Sequence, residues 1–94
     1  MKVIWTNPAL KDLEEILDYI ALENPIAAYE VATSIQLATE KLADFPNIGR
    51  QGRVANTREL ILPDLPYVLP YEVCRDTDEV YILTVFHTAR KWPE

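Results

Sequence analysis

The sequence has little of several features that mark particular classes of protein. Its 94 residues include one cysteine, Cys74, which excludes an intramolecular disulfide and a zinc site built on several cysteines. No apolar run approaches a transmembrane length, and the N-terminal segment is too short and too interrupted for a signal peptide. Positive charge is also scarce, with nine Lys and Arg against 15 Asp and Glu. We therefore expect a cytoplasmic protein with no metal, no cofactor, no membrane contact and no direct DNA binding.

What the chain does contain is typical of one small globular domain. Apolar residues make up 49% of it, and the length leaves room for one core, so residues 1–94 are predicted to form a single domain. The net charge of −6 is unevenly distributed. Residues 7–45 carry eight acids and two lysines, whereas residues 46–62 carry three arginines and one acid. The positive charge is thus concentrated in one short segment, which indicates a local site.

That segment, "GRQGRVANTREL", contains Arg50, Arg53 and Arg58 together with both glycines of the chain. One interpretation is that the arginines present donors to a carboxylate or phosphate of a target, with the glycines allowing close backbone approach. The alternative is structural: the glycines supply turns, and Arg58 pairs with a helix acid such as Asp44. Arg50 and Arg53, which lie in the loop itself, are predicted to be exposed.

Two helices are predicted from apolar spacing and capping residues. Asn7-Pro8 and Asn24-Pro25 each place an N-cap before a proline at the first helical position. The inward faces recur at helical spacing and are formed by Leu10, Leu13, Ile16, Leu17 and Ile20, then by Ala28, Val31, Ala32, Ile35, Ala38, Thr39 and Leu42. Charged residues such as Asp12 are predicted to face water. The short link between the helices requires an antiparallel hairpin.

Strands are predicted on both sides of this hairpin. "KVIW" comes first, and "TRELIL", "YVLPYEVC" and "VYILTVFH" follow the arginine segment with tight turns between them. Pro70 lacks an N–H, so its strand is expected to bulge there or to turn that nitrogen outward. The fold class is α+β, in the order β-α-α-β-β-β, with the helix hairpin packed on an antiparallel meander.

Five motifs in this order resemble the RelE/ParE superfamily of toxins from type II toxin–antitoxin systems. They are "NPxAA" at 24–28, "GRxGR" at 49–53, "TREL" at 57–60, "PYxxPYxV" at 66–73 and "HxARxWP" at 87–93. The resemblance implies a growth-inhibiting toxin, of the kind linked to plasmid stabilisation, that a cognate ParD- or RelB-like antitoxin neutralises. RelE-like members are mRNA endonucleases on the ribosome, whereas ParE-like members act by binding DNA gyrase without catalytic residues.

The RelE pattern is incomplete in this sequence. Glu59 and Ile61 stand where basic residues of a RelE strand would stand, and Val68 stands at the place of an arginine. Glu72 occupies a position where close relatives often have arginine, and Glu94 stands near the place of a terminal tyrosine. Carboxylates in place of cations repel a phosphate. We therefore favour the ParE-like interpretation, with a non-enzymatic gyrase inhibitor as its expected function.

A metal-independent ribonuclease is the alternative, since His87, Arg90, Arg58 and Tyr71 would supply an acid, cations and a hydroxyl if they met. We favour a structural role instead, in which His87 ends its strand and hydrogen-bonds to the following segment and Tyr71 is an ordinary residue of the sheet. A non-toxic relative that keeps only antitoxin binding is a third interpretation.

The predicted target-binding residues are Arg50, Arg53, Arg58, Arg90, Lys91 and Trp92. The predicted antitoxin-binding residues are Tyr19 and Tyr29, which fall off the apolar stripes of their helices.

Overall fold

The structure is a computed structural model that describes residues 1–90 and 92. Its elements follow the chain in the order β1 (Lys2–Trp5), α1 (Asn7–Ala21), α2 (Pro25–Glu40), a 3₁₀ turn (Lys41–Ala43), β2 (Arg50–Gln51), β3 (Arg58–Ile61), β4 (Tyr67–Cys74), β5 (Glu79–Ile82) and β6 (Phe86–His87). The α+β class and the helix hairpin on a mostly antiparallel sheet agree with the sequence prediction. No helix of the described part of the chain is long and apolar enough to span a bilayer.

The six strands of residues 1–90 form one sheet in the order β1-β5-β4-β3-β2, with β6 beside β4. Strands β3, β4 and β5 form the predicted antiparallel meander. β1 pairs with β5 in parallel, a position that the sequence did not predict. β5 therefore has a neighbour on each side, as expected for the most apolar stretch of the chain.

The hairpin α1–α2 covers one face of the sheet, which we call the covered face; the other is the open face. The core between hairpin and sheet contains Ala9, Ile35 and Leu42 from the helical segment, with Leu60, Leu69, Tyr71, Val80 and Ile82 from the strands. Burial of each large apolar side chain contributes about 1.5–3 kcal/mol to folding. Ala9 is fully buried on α1, whereas Leu10, predicted to face inward, is half exposed. At the start of α1 the buried face is therefore shifted by about one residue from the predicted apolar face.

The helix caps agree with the prediction at one helix and differ at the other. Asn24 caps α2, and its side-chain oxygen accepts from the backbone N–H of Ala27 at 3.1 Å. The cap of α1 is Thr6, not Asn7, because the Thr6 hydroxyl oxygen accepts from the N–H of Ala9. The same hydroxyl donates to the carbonyl of Ile82 at 2.7 Å. Thr6 thereby joins the start of α1 to the end of β5.

The predicted strand "VYILTVFH" is divided into β5 and β6. Tyr71 pairs with Ile82, and Val68 pairs with Phe86. The two residues of β4 between these pairs, 69–70, therefore lie opposite three residues, 83–85. The extra residue is a bulge on the side of residues 83–85, while β4 runs unbroken through Pro70. The carbonyl of Pro70 accepts from the N–H of Leu83 at 2.9 Å.

Asp12 is half-buried, which corrects the prediction that it faces water. Its carboxylate accepts from the hydroxyl of Thr84, and from the N–H of Val85 at 3.2 Å. Because the bulge leaves these donors outside the sheet ladder, a side chain of α1 has to satisfy them. Asp12 thus connects the first helix to the break between β5 and β6.

Candidate functional site

The arginine segment is organised around a carboxylate on the open face of the sheet. Glu59 lies on β3 between Arg50 of β2 and Pro70 of β4. Its side chain is completely buried, although an isolated buried charge is strongly unfavourable. Two arginines therefore have to compensate it.

Arg50 and Arg53 both bind this carboxylate. Nε and Nη2 of Arg50 donate to Oε1 of Glu59 at 3.1 and 2.7 Å. The backbone N–H of Arg53 donates to Oε2 at 3.1 Å, and its Nε lies 3.5 Å from the same oxygen. Burial raises the pKa of Glu59, but the hydrogen bonds and charges of the two arginines outweigh it, and the pKa is lowered from 4.5. Glu59 therefore stays ionised at neutral pH.

The two guanidinium groups remain partly accessible after binding Glu59. The side chain of Arg50 is 54% exposed and that of Arg53 is 44% exposed. The prediction that both are exposed therefore holds in part, since each is also held by a buried partner. We call Arg50, Arg53 and Glu59 the arginine cluster; its net charge is +1, with the cationic edges directed to solvent.

The arginine cluster contacts the C-terminal segment. Nη1 of Arg53 donates to the carbonyl of Trp92 at 3.4 Å, and its guanidinium lies 5.5 Å from the ring centroid of Phe86. The indole of Trp92 stacks on Phe86 at 6.0 Å and 18°. The structure thus brings together Arg50, Arg53 and Trp92 from the predicted target-binding set. Lys91, of the same set, lies outside the described residues.

Arg58 faces the covered side of the sheet, away from the arginine cluster. It pairs with Tyr71 on β4, and residues directly opposite share a face. Its Nη1 donates to the carbonyls of Gly49 at 2.8 Å and Asn47 at 3.3 Å. Arg58 therefore fixes the segment after α2 through backbone oxygens, and not through the ion pair with Asp44 suggested by the sequence.

Tyr71, on the covered face, also fixes the segment that follows α2. Its hydroxyl donates to the carbonyl of Pro46 at 2.7 Å and accepts from the N–H of Gly49 at 2.8 Å. Burial raises the pKa of Tyr71, although the Gly49 hydrogen bond and the Arg58 charge oppose the shift. Both hydrogen-bonding capacities of this hydroxyl are thus used in holding the loop.

The two glycines are required by close packing, and neither has a positive φ. A Cβ on Gly49 would lie 2.6 Å from the ring of Tyr71 and 2.9 Å from the carbonyl of Glu59. A Cβ on Gly52 would overlap the hydroxyl of Thr57 and lie 2.8 Å from its carbonyl oxygen. Close packing within the domain, and not a turn that only glycine can form, is therefore the reason for glycine at both positions.

His87 and Arg90 lie together beside the first residues of β4, whereas Tyr71 lies in the middle of that strand. His87 pairs with Tyr67, and the two rings meet edge to face at 5.7 Å. Nδ1 of His87 accepts from the N–H of Ala89 at 3.0 Å. Four residues of β4 separate the register positions of His87 and Tyr71, about 13 Å along a strand. The structure therefore does not gather the four residues of the ribonuclease alternative around one point.

A groove of about 250 Å³ lies beside His87 and Arg90, and Asp12, Glu15 and Tyr19 of α1 form its other wall. Tyr19 and Tyr29 are 78% and 75% exposed, as predicted for residues off the apolar stripes. Leu22 and Ile26, between them in the chain, are also highly exposed. The tip of the hairpin therefore presents an apolar patch, formed by Tyr19, Leu22, Ile26 and Tyr29.

Residues 3–92 match the family of ParE toxins of the type II toxin–antitoxin system parDE. The chain is 44% identical over 93 residues to Y4kP of Sinorhizobium fredii, which is named as a toxin, covering 99% of this chain and 94% of that protein. It is 39% identical over 89 residues to toxin RelE2 of Caulobacter vibrioides, covering 95% and 97%.

Solved structures agree with the sequence relatives. The chromosomal ParDE toxin–antitoxin system of P. aeruginosa contains a chain with a TM-score of 0.81 and 27% identity, covering 93% of this chain and 95% of that one. The intact E. coli RelBE complex contains a chain that shares the fold, with a TM-score of 0.64 and 14% identity over 95% and 98%. The chain belongs to the ParE toxin family of the RelE/ParE superfamily.

Proposed function

We propose that this toxin inhibits growth by binding a bacterial target stoichiometrically, that the target is DNA gyrase, and that it acts in the cytoplasm. The arginine cluster carries the proposal. It places two half-exposed guanidinium groups at fixed positions on the open face, and Arg53 also binds the backbone carbonyl of Trp92, whose indole stacks on Phe86. Arginine and tryptophan are among the residues that dominate binding energy at protein interfaces. The membership in the ParE family supports the same interpretation.

The charges of the open face support binding over phosphate chemistry. Glu72 and Glu79 lie on this face with Glu59, on β4 and β5. The hydroxyl of Tyr81 donates to Glu79 at 2.6 Å, and this hydrogen bond lowers the pKa of Glu79. Glu72 and Glu79 thus place negative charge beside the arginine cluster, and carboxylates repel an RNA backbone. A ribonuclease site needs the reverse, because its transition state carries additional negative charge.

The apolar patch at the hairpin tip is the proposed antitoxin-binding surface. Tyr19 and Tyr29 are the residues with which the antitoxin would make contact. The structural relatives come from ParDE and RelBE toxin–antitoxin systems, which supports an antitoxin as the physiological partner. Because the patch lies on the helices, antitoxin contact there is separate from target contact at the arginine cluster. Tyr19→Ser with Tyr29→Ser is expected to weaken neutralisation by a ParD-like antitoxin and to leave toxicity unchanged.

The decisive experiment removes the arginines without leaving a buried charge unpaired. Charge reversal of Arg50 and Arg53 would place new carboxylates beside Glu59, so we choose the triple variant Arg50→Gln, Arg53→Gln, Glu59→Gln. Glu59→Gln alone is the matched control, because it changes the same buried site and keeps both arginines. Purified variants are compared in a gyrase supercoiling assay after their folding is checked by circular dichroism.

We expect the triple variant to lose at least about tenfold in inhibition, the effect of one lost charge-assisted hydrogen bond, while Glu59→Gln, which loosens both guanidinium groups but keeps them, loses less. His87→Ala is expected to inhibit as the parent does. In cells, pulse labelling should show thymidine incorporation falling before methionine incorporation. Earlier loss of methionine incorporation, with cleaved transcripts and a harmless His87→Ala variant, would instead establish the ribonuclease alternative. If neither incorporation falls, the chain is a non-toxic relative.

A further inference from the structure

A second positively charged feature lies at the opposite side of the sheet from the arginine cluster. It is a cleft of about 470 Å³ at the outer end of β3 and β4, and we call it the polar cleft. Its polar wall consists of Asn47, Gln51, Asn56, Thr57, Arg58 and Arg75, and Val73 adds one apolar side chain. Of the residues that the structure describes, two cations and no carboxylate line it, although the chain has 15 acids and nine bases. Its volume falls within the range of small-molecule sites.

The guanidinium group of Arg58 is held in place at this cleft by one of its nitrogens, and its other nitrogens remain available as donors. Nη1 is fixed by the carbonyls of Gly49 and Asn47, as described above. Nε and Nη2 have no hydrogen-bond acceptor within residues 1–90 and 92. A guanidinium whose orientation is already fixed loses less conformational entropy when it binds an anion. Arg58 is therefore prepared to bind, and not merely to support the loop.

Arg75 faces the same cleft from the end of β4. Its Nη2 donates to Oδ1 of Asn47 at 3.3 Å, so the two cations are connected through one residue. With its oxygen engaged, the amide of Asn47 keeps its NH₂ group as a donor. The loop opposite is shaped by Asn56, which has a φ of 65°, a conformation that asparagine tolerates well. Donors thus surround the cleft from three segments of the chain.

We propose that the polar cleft binds the phosphoryl group of a small molecule, either inorganic phosphate or a phosphate monoester. Two guanidinium groups and the neighbouring amides offer more donors than the two oxygens of a carboxylate can use, whereas a phosphoryl group accepts from all of its terminal oxygens. A nucleic-acid strand is disfavoured, because Asp76 and Asp78 lie in the adjoining turn and the chain carries a net charge of −6. We therefore assign a small molecule, and not a nucleic-acid strand, to the cleft.

The test is a titration of the isolated full-length protein, followed by ¹⁵N NMR at constant ionic strength and pH 7.5. Inorganic phosphate and ribose 5-phosphate are the two probes. We expect saturable shifts in the amides of Gly49 and Thr57 and in Nε of Arg58, with Kd at or below the millimolar range. Arg75→Gln should weaken binding about tenfold, because one charge-assisted interaction is removed. Lys11→Gln, which removes an exposed positive charge from α1, should leave binding unchanged.

Each outcome decides the proposal. Tighter binding of ribose 5-phosphate than of phosphate identifies a monoester as the ligand, and equal binding identifies free phosphate. Absence of saturation by about 20 mM, well above a millimolar Kd, overturns the site. Equal weakening by Arg75→Gln and Lys11→Gln also overturns it, since only general electrostatics would then be measured. A Glu-rich hexapeptide or a single-stranded oligonucleotide that displaces ribose 5-phosphate at lower concentration would overturn the small-molecule assignment. None of these outcomes depends on gyrase binding.

Discussion

Arg50 and Glu59 lie directly opposite each other on β2 and β3, and two nitrogens of Arg50 donate to one oxygen of Glu59. β2 contains only two residues, so few backbone hydrogen bonds attach it to the sheet. The side-chain ion pair adds to this attachment at the position where Glu59 is fully buried. The buried carboxylate thus determines where both exposed guanidinium groups of the arginine cluster lie.

Glu59→Gln is predicted to lower the free energy of unfolding by about 2 kcal/mol at pH 7. The variant keeps the shape of the side chain but converts charge-assisted hydrogen bonds into weaker ones. Urea unfolding followed by circular dichroism measures the change. Glu72→Gln, an exposed carboxylate on the same face, is the control and should change stability by less than about 0.5 kcal/mol.

The stabilisation of the fold by Glu59 is predicted to decrease as the pH falls. The folded pKa of Glu59 lies below 4.5, so ionised Glu59 stabilises the fold above the unfolded pKa, and this contribution is lost as pH falls through the folded pKa. The difference in the free energy of unfolding between the parent and Glu59→Gln should therefore be largest near neutral pH and shrink below about pH 4.5. An equal difference at pH 7 and pH 3 would contradict the ionic role of Glu59.

Tyr71→Phe is predicted to destabilise the fold by about 2 kcal/mol. The change leaves the buried N–H of Gly49 and the carbonyl of Pro46 without their partner, and unsatisfied buried groups cost about 1–3 kcal/mol. Tyr29→Phe is the matched control, because it removes the same hydroxyl from a residue that is 75% exposed. Thermal unfolding of the two variants separates the buried hydroxyl from the general effect of removing one. Equal melting temperatures would show that Tyr71 does not hold the loop.

The sequence predicted the elements that depend on local periodicity and end signals. Both helices, their antiparallel pairing and the strand Tyr67–Cys74 follow from apolar spacing, Asn-Pro pairs and turn residues. The α+β class followed from the order of those elements. Such signals act over a few residues, which is why they are accessible without a structure.

The missed features depend on residues that are distant in the chain. The cap at Thr6 is favoured because its hydroxyl also donates to Ile82, and the bulge of residues 83–85 depends on Asp12 of α1. In the sequence Glu59 stands out only as a departure from a basic pattern, and nothing near it in the chain indicates that it is the buried partner of two arginines. One acid among three arginines was the available signal. What was missing was the short strand β2, which places Arg50 across from it.

Asp12→Asn and Thr84→Ala are predicted to be coupled. The carboxylate of Asp12 accepts from the hydroxyl of Thr84 and from the N–H of Val85, so each single change weakens the contact between α1 and the bulge. We expect each to cost about 1–2 kcal/mol, and the double variant to cost less than their sum by at least about 0.5 kcal/mol. Strict additivity would contradict the contact. Glu15→Gln, an exposed acid on the same helix, should have little effect.

Trp92→Ala is predicted to weaken both the fold and target inhibition, by different mechanisms. The stack on Phe86 and the hydrogen bond from Arg53 to the Trp92 carbonyl are made by different parts of the residue. Loss of the ring should lower stability by about 1 kcal/mol, since aromatic pairs contribute about 0.5–1.5 kcal/mol beyond their buried area. Trp92→Phe retains a stacking ring and should restore stability. If Trp92→Phe regains stability but not gyrase inhibition, the indole itself contacts the target; if it regains both, a ring that keeps the C-terminal segment stacked on Phe86 is sufficient. Full inhibition by Trp92→Ala would remove the C-terminal segment from the proposed target surface.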